Sequence, residues 1–159
     1  MIRFIPLHDK AGRIVHFAVV DGADGHLNAL RWHAHYRQNG SVKGVLRRVG
    51  GNRGKWHHLH HAVLGLEPGT TVRVDHINRN PLDNRRSNLR LATTRQNTQN
   101  LASKGGTSRH RGVYWDKGRW VAEVKLNYRK HYLGRFVDED EAGAVAAAFR
   151  RQHMPFSDG

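Results

Sequence analysis

Asp75 and His76 stand side by side at the end of the β-branched run Thr71-Val72-Arg73-Val74, in a strongly basic chain. A carboxylate beside an imidazole can be a surface pair, or it can be half of a metal site. Phosphodiester hydrolysis needs a base that activates water and a divalent cation that neutralises charge on the phosphate and its leaving oxygen. Hard cations such as Mg²⁺ take oxygen ligands, and they need few from protein because phosphate and waters supply the rest. Asp75 offers a carboxylate. His76 offers an imidazole that is neutral near pH 7, since an unperturbed histidine titrates near about 6.5. Neighbouring strand residues point to opposite faces, so both can reach one phosphate only from a strand end or a strong twist. Asn88 and Asn97 follow thirteen and twenty-two positions after Asp75. Asn97 falls inside an expected helix, where asparagine is a poor interior former, and this suits a carbonyl-oxygen ligand.

Three blocks must position these residues. Residues 1–55 read as β-rich: Arg13 to Val20 as a strand, Leu27 to Tyr36 as a possible helix, and Val42 to Val49 as another strand, closed by Gly50-Gly51-Asn52. In residues 56–101, His57 to Gly65 reads as a short helix or extended stretch, Thr71 to His76 as a strand and Asn78 to Asn84 as loop. Ser87 to Leu91 is short and ordered. Thr93 or Thr94 suits the N-cap of a polar helix, Arg95 to Leu101. Residues 102–108 read as a flexible linker. The block 109–153 carries three strands, Gly112–Trp115, Trp120–Leu126 and His131–Phe136, then a helix from Glu139 to Gln152. The helix has an apolar stripe of Ala142, Val145, Ala146 and Phe149, with Asp138 near its start. A small three-stranded antiparallel sheet packed on one helix is a minimal two-layer fold, and the whole chain is expected to be α+β.

The chain has 159 residues and a formal net charge of +14, from 27 Lys and Arg against 13 Asp and Glu. That length suits one ordinary domain or two small ones. A basic excess of this size points to a polyanion, most commonly nucleic acid. With no cysteine, disulfides and thiolate zinc sites are excluded. No run approaches the roughly 20 apolar residues of a membrane helix, and no signal-peptide core opens the chain. The expectation is a soluble, cytoplasmic protein. Four histidines at 57, 58, 60 and 61 invite a zinc reading, but consecutive side chains face different ways and no thiolate supports them. His60 suits a structural or DNA-contacting role better. Between residues 109 and 136 eight Lys or Arg stand against two acids, a footprint for phosphate. Alternation puts Trp120, Ala122, Val124 and Leu126 on the helix side of the middle strand, leaving Val121, Glu123 and Lys125 to meet a groove.

The run VDHINRNPLDNRRSNLRLATTRQNTQN resembles the HNH homing-endonuclease motif, the ββα-metal nuclease of phages and mobile introns. The likeness covers DHIN, the N-P-L-x-N loop, S-N-L-R and the closing Q-N-x-x-N. Leu59-His60-His61 is similar to the Leu-His-Arg that often precedes the motif, with His61 where arginine is usual. Ile5-Pro6-Leu7 and the Trp32 region look like the β-rich lead-in of that subfamily. The resemblance implies an HNH nuclease domain over residues 1–101 with its ββα-metal motif at about 56–101. It also implies Asp75 and Asn97 as metal ligands, His76 as general base, and Asn88 holding the loop and helping to orient His76. Asparagine where other members carry the last histidine favours Mg²⁺ or Mn²⁺ over zinc.

The pattern R-G-V-Y-W, W-V-A-E-V, Y-L-G-R-F and E-A-G-A-V-A-A-A resembles the APETALA/ethylene-response-factor DNA-binding domain over about residues 108–150. There Arg111, Lys125 and Tyr132 match DNA-contacting sheet positions, and Arg119 falls near another. Arg111 is the first choice for a bidentate contact to guanine. Together these resemblances imply an endonuclease that cuts double-stranded DNA at a preferred site, with a phage or mobile-element origin; nicking and double-strand cutting both stay open. The rival is a non-catalytic, sequence-specific DNA-binding regulator that uses the last block alone.

Overall fold

A computed structural model describes residues 1–101 and 106–157. The protein is α+β and strand-rich, and it divides into two compact units, Met1–Ala92 and Thr93–Gly159.

The first unit is built on a five-stranded sheet from β1 (Ile2–His8), β2 (Ile14–Asp21), β3 (Trp32–Tyr36), β4 (Val42–Val49) and β5 (Lys55–His58), in the order β2-β1-β3-β4-β5. Its neighbours are antiparallel except β1 and β3, which run parallel with Leu7 opposite Trp32. Period-two alternation sends Ile5, Leu7, Ala18 and Val20 inward, while Ile2, Phe4 and Phe17 stay exposed. The inward face packs against Leu27, Trp32, Val45, Leu59, Val63, Val74 and Leu89 as one core. The fully buried Trp32 satisfies its indole by donating from Nε1 to the Leu27 carbonyl at 3.0 Å.

The helix expected over Leu27–Tyr36 does not form. A 3-10 helix at Gly22–Ala29 ends there, and Trp32–Tyr36 is strand β3. Its parallel partner β1 lies far away in sequence, so no local pattern announces the strand. A short helix α1 (Leu59–Val63) leads to the hairpin of β6 (Val74–His76) and β7 (Leu89–Leu91). β6 is shorter than the run Thr71–His76 because its partner offers only three residues.

The second unit opens with helix α2 (Thr94–Gln99). A capping box starts it: Thr93 accepts from the Gln96 amide while the Thr93 amide donates to the Gln96 side chain. The unit boundary places this helix with the C-terminal unit, whereas the sequence expectation keeps it with residues 1–101. Residues 102–105 of the expected linker lie outside the described residues. Thr107 and Ser108 are already tied into the following fold, through Trp115 N to Thr107 Oγ1 at 2.8 Å and Ser108 Oγ to Glu139 Oε1 at 2.8 Å. Strands β8 (Val113–Asp116), β9 (Arg119–Leu126) and β10 (Arg129–Phe136) form an antiparallel sheet in the order β10-β9-β8. Helix α3 (Glu139–His153) begins at Asp138, whose carboxylate accepts from the Glu141 amide at 2.8 Å.

Ala142 and Ala146 pack on Val113, Ala122 and Val124, with Trp120, Leu126 and Phe149 around them. This is the expected helix-facing side of β9. On the opposite side Val121 is also buried, so that face is less open than alternation suggests. Gly143 and Arg150 are buried on α3 as well. Arg150 donates from its guanidinium to the Arg111 carbonyl, and burial beside Arg111 and Arg151 pulls its pKa down from the usual arginine range.

A Cβ at Gly143 would sit 2.5 Å from the ring of His110, which itself bonds Asp140 at 2.6 Å. Gly143→Val should therefore destabilise the C-terminal unit by about 1–3 kcal/mol through overpacking. Thermal unfolding measures this, and an unchanged midpoint would show that His110 moves aside freely.

Candidate active site around Asp75 and His76

The hairpin sets Asp75 opposite Arg90. Cross-strand opposite charges stabilise a pair of strands, and here Arg90 Nε and Nη2 both reach Asp75 Oδ2, at 2.9 and 2.8 Å. Asp75 is only 5% exposed. The motif Ser87-Asn88-Leu89-Arg90 thus supplies the cation that a buried carboxylate needs as a partner.

The loop after His76 is held by asparagine side chains. Asn88 Oδ1 accepts from the Asn78 amide at 2.9 Å, and Asn88 Nδ2 donates to Asn78 Oδ1 at 2.9 Å and to the Asp83 carbonyl at 2.7 Å. The Asn88 carbonyl accepts from the Ile77 amide at 2.9 Å. These bonds are what a loop-holding role for Asn88 requires. Arg79 bends the chain with φ of 62°. Asp83 is clamped by Arg85 at 2.6–2.8 Å, and that bond is the main reason its carboxyl lies below the usual range.

The orienting bond to the His76 ring comes from Asn84, with Nε2 and Oδ1 3.2 Å apart. The sequence reading did not single out Asn84. Its signal was present: it is the closing asparagine of the Asn80-Pro81-Leu82-Asp83-Asn84 loop.

The loop as a whole docks on the edge of β2. Val19 N donates to Leu82 O at 2.7 Å, and Asn84 N donates to Val19 O at 2.8 Å. Arg86 adds a bidentate pair with the buried Asp24, at 2.7 and 3.0 Å, and its amide donates to Asp21 at 2.8 Å.

Around His76 lies a group of imidazoles. The His60 ring stands 5.3 Å from His76, 4.5 Å from His61 and 5.1 Å from His58. His60 is therefore part of the packing behind His76. His57 and His61 each place Nε2 on a backbone carbonyl, of Leu66 at 2.9 Å and Val72 at 3.0 Å. Burial, reinforced by mutual repulsion among the rings, pushes His60 down to about 2 and His58 to about 4, and it lowers His61 too. Burial also lowers His76, against the opposing pull of the Asn84 bond and of the Asp75 and Asp83 charges. Burial thus favours the neutral form of His58, His60, His61 and His76.

Among the described residues no group of three or more His, Asp or Glu is arranged to hold an ion. The donor chemistry that remains is a carboxylate at Asp75 and an amide oxygen at Asn97. Asn97 lies half-buried on α2 of the second unit. Each is an oxygen donor, the kind of ligand a hard divalent cation takes.

On the C-terminal unit Arg119, Lys125 and Tyr132 are exposed. Arg111 is half-buried and donates to the Gln99 carbonyl at 2.6 Å. Trp120 packs against the core.

An HNH endonuclease family model matches residues 57–99, the stretch that holds Asp75, His76, Asn88 and Asn97. The chain is also similar to "Protein 3.8" of Escherichia phage T7, with 35% identity over 80 residues. That alignment covers 48% of this chain and 64% of the phage protein. No solved structure matches. No helix among the described residues is long and apolar enough to cross a membrane.

Two outcomes follow from the site's electrostatics. The unfolded chain's histidines titrate near 6.5, while the folded protein keeps His58 and His60 neutral well below that. Below pH 6.5 the unfolded state binds protons that the folded state refuses, so stability is full above that pH and falls as the pH drops toward 4. The slope is at most about 1.4 kcal/mol per pH unit for each such histidine. Thermal melts across that window check this, and a flat midpoint would remove the buried-imidazole account. Separately, Arg90→Met should cost a few kcal/mol, at or below the roughly 3–5 kcal/mol seen when one partner of a buried ion pair is removed. Urea denaturation reads that change.

Proposed function

We propose that this chain is a divalent-metal-dependent DNA endonuclease of the HNH type, hydrolysing phosphodiester bonds at a preferred site. The observation that carries it is Asp75 and His76 at the end of β6, one paired with Arg90 and the other held neutral by burial, within the stretch that matches the HNH family. His76 takes a proton from the attacking water. Asn88 and Asn84 hold the loop that presents it. Asp75 and Asn97 would hold Mg²⁺ or Mn²⁺, which supplies charge neutralisation at the phosphate and leaving oxygen. Arg90 already engages the Asp75 carboxylate, with Nε and Nη2 on Oδ2.

In this reading residues 109–153 form a DNA-reading module similar to the ethylene-response-factor type, acting on double-stranded DNA. Arg119, Lys125 and Tyr132 stand exposed for contacts. Arg111, engaged with Gln99, braces the unit before it contacts DNA. A basic sheet can supply phosphate contacts and a few base contacts in a groove. The similarity to a phage protein suits a role inside an infected cell.

The test is conversion of supercoiled plasmid to open circle. It should proceed with Mg²⁺ and stop with EDTA. His76→Ala should abolish it while DNA affinity stays unchanged. A chain that binds DNA at a defined sequence yet never nicks it would instead be a regulator. The double substitution Arg119→Ala and Lys125→Ala should weaken binding. It should also lower the salt dependence of affinity by about one unit of slope for each phosphate that is no longer neutralised. Fluorescence anisotropy over a salt series measures it.

A further inference from the structure

The C-terminal unit holds a cavity of about 460 Å³, bounded by helix α2, the start of β8 and the β9–β10 turn. That size is ordinary for a pocket that takes a small molecule. Its floor is apolar, because Val113, Leu126 and Met154 belong to the core of the unit. Its walls are cationic, with Arg95 from α2 and Lys125 from β9. Both are exposed, and among the described residues neither is ion-paired. No carboxylate is among the described residues that line the cavity. Elsewhere on the same sheet cations meet acids: Lys130 Nζ lies 3.0 Å from Glu123 Oε1, and Arg135 Nη2 lies 3.3 Å from Asp116 Oδ2. An apolar floor below cations with no acid beside them fits a ligand with a flat apolar body and an anionic end.

The rim carries a residue that the turn does not favour. Two residues join β9 to β10, Asn127 and Tyr128, with φ of 53° and 65°. Positive φ at both positions marks the tight hairpin turn that matches strand twist, and that turn prefers asparagine followed by glycine. Asn127 fits. Tyr128 puts a Cβ into the left-handed region, where a bulky side chain is strained. Burial does not offset that strain, since Tyr128 is 85% exposed, yet its side of the turn lines the cavity. Backbone strain of this kind gathers at ligand sites.

We propose that this cavity binds one unpaired nucleotide, with the base stacked on the Tyr128 ring above the apolar floor and the phosphate held by Arg95 and Lys125. Every base has a π-face, so an aromatic platform needs no particular sequence. Guanidinium and ammonium groups both give phosphate charge-assisted hydrogen bonds. A base in an intact duplex is stacked on its neighbours and cannot enter. The site therefore selects unpaired nucleotides, whether free in solution or exposed in a single strand. Lys125 is shared with the sheet face proposed for duplex DNA, whereas Tyr128 and Arg95 are not. The proposal does not rest on the nuclease reading.

The experiment uses the full chain in EDTA, so that no strand is cut. Fluorescence anisotropy reads its affinity for a short labelled oligo-dA strand and for a labelled hairpin duplex. Tyr128→Gly removes the ring and installs the residue the turn prefers. It should lower single-strand affinity on the order of tenfold, the size of one base–aromatic stack. Duplex affinity should stay unchanged, and the unfolding midpoint should be unchanged or higher. Tyr128→Phe should keep single-strand affinity. Arg95→Ala should reduce the salt slope of single-strand binding by about 0.7, for one phosphate no longer neutralised. Titration of 5′-dAMP into the ¹⁵N-labelled wild-type chain identifies the source. Shifts of the Leu126, Asn127 and Tyr128 amide signals with dAMP alone mark a site for free nucleotides. Shifts with oligo-dA and not with dAMP mark a site for nucleotides exposed in a strand. If neither ligand moves those signals, the assignment is overturned, and this holds even where a variant fails to fold. Equal loss of single-strand and duplex affinity in Tyr128→Gly overturns it too, because Tyr128 would then be a contact to paired DNA. So does inorganic phosphate that gives the same shifts as dAMP at the same concentration, since the base would then add nothing.

Discussion

The docking of the Asn78–Asn88 loop on the edge of β2 is the constraint on which the candidate site depends. β2 ends the five-stranded sheet, and an edge strand leaves backbone donors and acceptors that must find partners. Val19 meets this need by bonding Leu82 and Asn84, and the Asp24–Arg86 pair holds the far end of the loop. One interaction thus satisfies the sheet edge, shapes an irregular loop that would otherwise be costly to order, and sets the residue that touches the His76 ring. The β-rich lead-in is in this sense part of the candidate site's support, although none of its side chains needs to meet a phosphate.

The site separates two opposite electrostatic demands within adjacent residues. Asp75 must be an anion in a buried place, and a cross-strand arginine meets that demand. His76 must be uncharged in a basic chain, and burial, with the His60 ring packed 5.3 Å away, meets that one. A cluster of imidazoles is unfavourable as a set of cations but readily packed as a set of neutral rings, so bringing them together biases each toward the form a base requires. The histidine-rich segment that suggests a metal cluster in the linear chain works here as a low-dielectric wall, with two of its ring nitrogens bonded to backbone carbonyls.

Much of this was legible beforehand where the signal was local. The Thr93 cap, the three strands of the C-terminal sheet and the apolar stripe of α3 each follow from short-range pattern, and each forms, while the strand expected over Thr71–His76 forms only at Val74–His76. The polar loop between β6 and β7 was readable for the same reason. Leu27–Tyr36 was misread as helix because its strand is specified by a parallel partner remote in sequence, with Leu7 opposite Trp32. Asn84 escaped notice because its role needs Val19, Pro81 and His76 at once, and only Pro81 is near it in sequence. Arg111 looked like a base reader by position in the pattern, yet its guanidinium is bonded to Gln99.

Residue types and their spacing are enough to name the candidate groups: a carboxylate, an imidazole and amide oxygens, in a strongly basic chain. Those properties belong to side-chain chemistry and to one-dimensional order, which no folding step alters. Packing chose the rest, namely which arginine balances Asp75, which asparagine meets His76, which imidazoles lose their protons and which cations stay on the surface. Each of those outcomes depends on distance and burial between segments remote in sequence, and both quantities come into being only when the chain closes on itself.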